Sequence, residues 1–242
     1  MINVIIFSYP NNWRLNMVNG YEINDLVKEE SWRLFRIIGE FVEGFDKLQG
    51  VEPAVSIYGS ARLLPDTPLY DQTVQIAEKL GELGFSIITG GGPGVMEAAN
   101  KGALNAGVKS VGLNIELPNE QACNAFATKT ITFKHFYVRK VMLVKYASAF
   151  IIMPGGLGTL DELTEVLNLI QTHKMRPFPV IVYDSGFWKG FLDWLRSVVL
   201  PKNYISESDF DLLRICDTPD AVVEVVQKWY IRQEIVGKKA IT

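Results

Sequence analysis

The chain has 242 residues, 48% hydrophobic and 21% charged, the composition of an ordinary globular protein long enough for one large domain with a substantial core. A net charge of −3 gives no electrostatic footprint for nucleic acid. The longest apolar runs are strand-sized, too short to span a bilayer, and Met1-Ile2-Asn3-Val4-Ile5-Ile6-Phe7 lacks the basic start of a signal peptide.

Residues 1–20 read as peripheral, with Pro10-Asn11-Asn12 breaking any element there. Glu22 to Leu48 reads as a long amphipathic helix, with Leu26, Trp32, Phe35, Ile38, Phe41, Val42 and Phe45 on its apolar side. A surface helix that rich in aromatics needs a partner: the body of its own domain or a second subunit. The pattern sets residues 1–50 apart as an N-terminal helical extension to a Rossmann-like region, 51–242. That region alternates. Apolar strands are expected at 54–58, 85–89, 108–114, 148–153 and 179–183, with a weaker one near 211–216. Helices are expected at 68–83, 94–106, 136–146, 159–173, 186–198 and 218–235, the first opened by Thr67-Pro68. This alternation predicts a doubly wound α/β fold, a parallel sheet with helices on both faces. Cys123 and Cys216 stand far apart in no paired motif. They point to a reduced, cytoplasmic protein in which each thiol is a small buried side chain.

Three of the strands run into glycine-rich turns. Val55-Ser56-Ile57-Tyr58 leads to Gly59-Ser60-Ala61-Arg62, and Phe85-Ser86-Ile87-Ile88-Thr89 leads to Gly90-Gly91-Gly92-Pro93-Gly94. The third, Ala147-Ser148-Ala149-Phe150-Ile151-Ile152-Met153, leads to Pro154-Gly155-Gly156-Leu157-Gly158-Thr159-Leu160-Asp161-Glu162. Glycines let the backbone approach a ligand closely. A helix start offers unpaired N–H groups to a phosphate. In an open parallel sheet such turns gather at the carboxyl ends of the strands, and the strands before Pro154 and before Gly59 are expected side by side at the switch point. None of the turns matches the dinucleotide or Walker patterns, so a mononucleotide is the better fit. The third turn places Glu162 in the expected first turn of its helix, where an anion would dock, and this suggests chemistry beside a phosphate. Thr159-x-x-Glu162 also fits a capping box.

Gly-Gly-Gly-Pro-Gly-x-Met-Glu-Ala-Ala at 90–99 and Pro-Gly-Gly-x-Gly-Thr-x-x-Glu at 154–162 together resemble the Lonely Guy (LOG) family. Its members are cytokinin riboside 5′-monophosphate phosphoribohydrolases, also described as "possible lysine decarboxylases". The resemblance runs from about Val55 to about Trp229. It includes Phe136-Tyr137-Val138-Arg139-Lys140-Val141-Met142 and Leu169-Ile170-Gln171-Thr172 followed by Pro177-Phe178-Pro179-Val180. Asn114-Ile115-Glu116-Leu117-Pro118 and Trp188-Lys189-Gly190 look like the longer bacterial branch.

The resemblance implies hydrolysis of the N-glycosidic bond of a purine nucleoside 5′-monophosphate, the base being adenine or an N6-modified adenine. Free base and ribose 5-phosphate would be the products. It casts Glu162 and Arg139 as the catalytic pair. Gly155, Gly156, Leu157, Gly158 and Thr159 would hold the 5′-phosphate, so that phosphate and carboxylate lie at opposite ends of one ribose. Gly59, Ser60, Gly91, Gly92 and Gly94 are further candidate substrate contacts, with Glu97, Glu120 and Lys140. Glu97 has an alternative role in favouring its helix dipole, and Glu165 could line the site or face water. The hydrolysis needs no cofactor, and neither His135 nor His173 belongs to a metal-ligand spacing. Thr172-His173-Lys174 superficially resembles a pyridoxal-phosphate lysine motif, but its place at a helix C-terminus suits the helix dipole. The competing reading on the same fold is a non-catalytic nucleotide-binding or cofactor-carrier protein. LOG relatives also imply a homodimer or larger homo-oligomer with the Arg-Lys helix near its boundary.

Overall fold

The computed structural model describes residues 26–117 and 123–239, with side chains for 32–117 and 123–232. The chain divides inside its first helix, between Glu40 and Phe41, into two compact units. Helix α1 spans Leu26–Lys47; the part of the expected helix before Leu26 lies outside the described residues. The division falls within α1, not after it, because the last turns of α1 belong to the second unit. There Gly44 faces Met142 so closely that an added Cβ would sit 2.8 Å from its Cε. The Lys145 ammonium lies 5.4 Å from the Phe45 ring centroid.

The second unit carries a seven-stranded sheet among its described residues. In chain order its elements are β1 (Ala54–Tyr58), α2 (Pro68–Glu82), β2 (Ser86–Thr89), α3 (Val95–Asn105), β3 (Ser110–Ile115) and β4 (Lys129–Phe133). There follow α4 (Phe136–Lys145), β5 (Ala147–Ile152), α5 (Leu157–Gln171), β6 (Val180–Tyr183), α6 (Ser185–Trp194), β7 (Leu213–Cys216) and α7 (Pro219–Lys239). The strand order is β4-β3-β2-β1-β5-β6-β7, and every pairing is parallel. The chain winds outward from β1 to β4, then crosses to β5 on the other side of β1. The junction of β1 and β5, in register from Val55↔Ala149 to Tyr58↔Ile152, is therefore the switch point. This is the doubly wound α/β fold that the alternation predicts, with β1 and β5 side by side.

Strand β4 is the element that pattern reading does not anticipate. Its five residues alternate, with only Ile131 and Phe133 buried, because it is an edge strand with one face toward the core. The sequence between α6 and β7 also folds differently from a simple helical extension. It continues as a π-helical turn at Leu195–Val199 and two short 3-10 segments, Leu200–Lys202 and Glu207–Leu212.

Strand alternation divides the core between two faces. Val55, Ile57, Ala149 and Ile151 pack with Ile76 and Leu80 of α2, Ala99 and Ala103 of α3, and Val222 and Val226 of α7. Ser56 points the other way, where its hydroxyl donates to the Leu143 carbonyl of α4 at 2.6 Å. Tyr58 and Phe150, also on that side, stack with ring centroids 6.4 Å apart. Thus α4 lies across the face opposite α2, α3 and α7. Its residues reach the carboxyl end of β1.

Candidate active site

A cavity of about 600 Å³ opens at the carboxyl ends of the switch-point strands, a volume in the range of small-molecule sites. One wall is the start of α5, from Gly156 through Thr159, with Glu162 deeper in. The loop after β1 supplies Gly59, Ser60, Ala61 and Arg62; α4 supplies Arg139 and Leu143; Gly90 and Met96 close the far side. Backbone bonds lock the three turns together. Met153 N–H donates to the Tyr58 carbonyl at 2.8 Å, Ser60 N–H to Pro154 at 3.0 Å, and Val95 N–H to Ser60 at 3.0 Å.

Helix α5 begins earlier than the Thr-x-x-Glu pattern suggests. Gly156 is its N-cap and no side chain caps it. Thr159 N–H and Leu160 N–H both donate to the Gly156 carbonyl, at 3.0 Å each. The amides of Leu157 and Gly158 precede the first intrahelical bonds and point out of the helix end, the arrangement that receives an anion. This geometry replaces the capping box: Thr159 already lies inside the helix, and Glu162 sits in its second turn, not its first. Glu162 is freed from any capping duty and set back from the anion end.

Glu162 is 7% exposed, and its Oε2 has no hydrogen-bond partner; the same holds for Arg139 Nε and the Tyr58 hydroxyl. Buried polar groups in folded proteins are nearly always paired. Three orphaned groups around one cavity mark a place built for a polar ligand. Burial pushes the Glu162 carboxyl up to about 7, against the pull of the Lys140 and Arg139 charges and with a push from Glu165 and Asp161. Arg139 is lowered by burial, with Glu162 opposing. A carboxyl that titrates near neutrality can exchange protons at working pH.

The structure brings Gly59, Ser60, Arg139, Gly156, Leu157, Gly158, Thr159 and Glu162 to the cavity. Among the described residues, it leaves Gly91, Gly92, Gly94, Glu97, Lys140 and Gly155 outside the lining. Lys140 pairs with Asp161 at 2.9 Å and with Glu165 at 3.3 Å, tying α4 to α5. Glu97 accepts from the Tyr70 hydroxyl at 2.9 Å. Gly91 and Gly92 are buried, and their carbonyls accept from the Asn124 amide at 3.1 and 3.0 Å. At Gly94 a Cβ would lie 2.4 Å from the Ser60 carbonyl oxygen, and at Gly155 it would lie 2.0 Å from the Thr159 hydroxyl. These glycines serve close packing of one turn on another. Gly59 adds a share of this, since its Cβ would strike Val95. Glu120 lies outside the described residues.

Sequence reading misses Tyr58, Arg62, Gly90, Met96 and Leu143 as lining residues. Tyr58 and Arg62 flank the first glycine turn, and their position at the carboxyl end of a switch-point strand was the available signal. Leu143 lies one helical turn beyond Arg139 on the same face of α4. Among the described residues, no group of three or more His, Cys, Asp or Glu side chains could hold a metal ion.

Residues 96–226 match the family described as "possible lysine decarboxylase", and the chain belongs to that family. The rice (Oryza sativa subsp. japonica) protein named cytokinin riboside 5′-monophosphate phosphoribohydrolase LOG is 29% identical over 173 residues, 69% of this chain and 69% of that protein. The Mycobacterium tuberculosis (strain ATCC 25618 / H37Rv) cytokinin riboside 5′-monophosphate phosphoribohydrolase is 27% identical over 172 residues, 67% of this chain and 87% of that one. Among solved structures, a molybdenum cofactor binding protein from Rippkaea orientalis superposes with a TM-score of 0.53 at 22% identity, over 72% of this chain and 94% of that chain. At that identity the likeness concerns the fold alone. Among the described residues no helix is long and apolar enough to cross a membrane.

Proposed function

We propose that the protein hydrolyses the N-glycosidic bond of a purine nucleoside 5′-monophosphate, with adenine or an N6-modified adenine as base, giving free base and ribose 5-phosphate. The observation that carries this reading is the spacing on α5. An uncapped helix start opens onto the cavity, and a buried, unpartnered carboxylate stands further along the same helix wall. A 5′-phosphate on the amides of Leu157 and Gly158, with the Thr159 hydroxyl and Arg62 beside it, would direct the ribose inward toward Glu162. Phosphoribohydrolase names among the relatives support the same substrate class.

In the reaction the C1′–N bond breaks and its electron pair leaves with the base, so positive charge develops at C1′. Glu162 faces that charge and takes one proton from the attacking water. The water oxygen bonds C1′ and keeps its second hydrogen as the 1′-hydroxyl. The proton then passes from Glu162 to the departed base, which restores the carboxylate. Arg139, a fixed cation with a free Nε, orients the substrate or polarises the base. With Glu162 ionised in the active form, kcat/KM rises with pH through a limb near 7, the value at which that carboxyl titrates.

Chromatography of products from a panel of nucleotides and nucleosides tests the reading. Base release from AMP or N6-modified AMP, far faster than from adenosine, is the expected result. Equal turnover of adenosine and AMP would remove the phosphate-anchoring argument, and no release from any monophosphate would favour a carrier. The second reading is a non-catalytic nucleotide-binding or cofactor-carrier protein on the same fold. The buried, unpartnered carboxylate in the cavity weighs against it, because a protein that only binds has no need of a carboxylate at the sugar.

The assembly belongs to the proposal too. Phe136, Tyr137 and Val141 of α4 and Val42 of α1 are exposed apolar side chains, and a symmetric homodimer is the commonest way to cover such a surface. Light scattering at several concentrations checks it; a monomer mass throughout would contradict the dimer. Free Cys123 and Cys216 suit a reducing cytoplasm.

A further inference from the structure

Tyr58 belongs neither to a glycine turn nor to the Arg-Lys helix, yet it carries one of the orphaned polar atoms of the site. It is the last residue of β1, at the switch point. Its carbonyl accepts from Met153 N–H at 2.8 Å, and its ring lies nearly parallel to Phe150, at 8°. Both contacts fix where the hydroxyl can be. The residue is 5% exposed and lines the cavity, and the hydroxyl is sealed from bulk water without a partner.

Glu162 is the charged group that acts most strongly on this phenol. Burial holds the phenol's pKa well above its ordinary value and the Glu162 charge adds to this, with the Ser56 hydroxyl acting in the opposite direction. The hydroxyl therefore keeps its proton and offers one hydrogen-bond donor. The ionised carboxylate of Glu162 offers only acceptors, and its Oε2 is also unsatisfied. One oxygen that donates to Glu162 and accepts from Tyr58 would satisfy both.

Resting on the hydrolase reading above, we propose that Tyr58 is a further catalytic residue, whose hydroxyl and the Glu162 carboxylate together hold the oxygen that attacks C1′. The attacking water gives one hydrogen to Glu162. It receives the Tyr58 hydrogen bond on one lone pair and directs the other lone pair at C1′. The C1′–O bond forms as the C1′–N bond breaks, and the water proton moves to Glu162. Tyr58 keeps its own proton throughout and acts by orienting the nucleophile.

The test is Tyr58→Phe, which preserves the ring and its stack and deletes one oxygen. Three readouts are taken: kcat, KM for AMP, and the titration of Glu162 followed by its carboxyl stretch in difference infrared spectra, assigned by its loss in Glu162→Gln. The expected result is a fall in kcat of at least roughly tenfold with KM within about twofold. The Glu162 midpoint should rise by about one unit, because the anion loses a donor network that favours it. Ser56→Ala, which keeps the phenol, should retain the wild-type kcat. Wild-type kcat and an unmoved midpoint in Tyr58→Phe would overturn the proposal. A Ser56→Ala loss equal to that of Tyr58→Phe would do the same, by assigning the hydroxyl to Ser56. If the wild-type protein releases no base, the hydrolase reading falls on its own, and the titration still decides whether Tyr58 and Glu162 share an oxygen: a raised midpoint supports the shared site and an unmoved one removes it.

Discussion

The turns at 90–94 and at 155–159 both follow a buried strand and lead into a helix, yet their backbones are committed to different partners. Around 90–94 the protein satisfies itself. Gly91 N–H donates to the Thr89 hydroxyl at 3.0 Å, that hydroxyl donates to Asn100 Oδ1 at 2.7 Å, and Asn124 donates to Gly91, Gly92 and Asn100. A polar network of this kind ties the turn to the protein and makes it a rigid support, with Gly90 alone of its glycines on the cavity lining. At 155–159 Gly155 is the one glycine whose added Cβ would meet protein. A Cβ on Gly156 or on Gly158 would meet nothing within 4 Å, although both helix starts alike lack a side-chain cap. Glycine density thus reports close approach, while the approaching partner differs: protein at the first turn, an open cavity at the second.

The sharpest way to break this contrast is at the carboxylate behind the open turn. Glu162→Gln keeps the shape and the cavity and removes the proton acceptor. Base release should fall by about 10²–10⁴-fold, the usual contribution of a general acid or base. Nucleotide binding, followed by calorimetry, should persist. A Gln variant with near-native kcat would return Glu162 to a packing role.

A paired substitution tests the two turns directly. Gly94 holds φ +69 with the Ser60 carbonyl in the way of any Cβ, so Gly94→Ala combines backbone strain with a clash. It should cost about 3 kcal/mol or more, read as a lower midpoint in denaturant. Gly158→Ala meets open space inside a helix start and should hold or slightly raise stability, by up to about 1 kcal/mol. Its cost should appear in KM for the monophosphate. Equal stability losses at the two positions would erase the distinction drawn between the turns.

Stability against pH gives a third, smaller effect. The Glu162 carboxyl titrates at about 7 in the folded protein against an ordinary 4.5, so the folded state holds this proton more tightly than the unfolded chain does. The stabilising contribution is full below 4.5 and is lost as pH rises through about 7. Above that, the buried charge costs on the order of 3 kcal/mol. Glu162→Gln should therefore match the wild type near pH 4 and exceed it by several degrees in Tm at pH 8. A difference independent of pH would mean that the carboxyl is not strained by burial.

Much of this was legible in sequence for identifiable reasons. Strands buried on both faces read as continuous apolar runs, so β1, β2, β3, β5 and β6 declare themselves. Glu162 and Arg139 were legible because a motif names them. Strand β4 was not, because half of a five-residue edge strand faces outward and carries Thr and Lys. Nor was the sorting of the glycines, since Gly94 and Gly155 look like ligand contacts until the facing turns are seen to touch. Lys140 and Glu97 illustrate the same limit: a charged residue in a motif goes to whichever partner the fold brings nearest, here Asp161 with Glu165 and the Tyr70 hydroxyl. Tyr58 was hidden because nothing in a strand's apolar pattern distinguishes a phenol that packs from one whose hydroxyl reaches a cavity.

Arg62 offers the mildest test of the open turn. It is exposed at the cavity lining beside Ser60, whose hydroxyl accepts from Arg62 N–H at 3.0 Å and so fixes where the side chain starts. Lys140, by contrast, is bound to two carboxylates. A guanidinium at the mouth can reach a dianionic phosphate that the Leu157 and Gly158 amides already hold, adding attraction without being required for the chemistry. Because the group is exposed, solvent and salt screen it. Arg62→Ala should raise KM for the monophosphate about tenfold at low ionic strength, an effect of about 1.4 kcal/mol, and less in high salt, with kcat and Tm unchanged. Steady-state kinetics at two salt concentrations measures this. A loss in kcat instead of KM would place Arg62 at the reacting end of the substrate and reverse the proposed orientation, phosphate on the start of α5 and ribose toward Glu162.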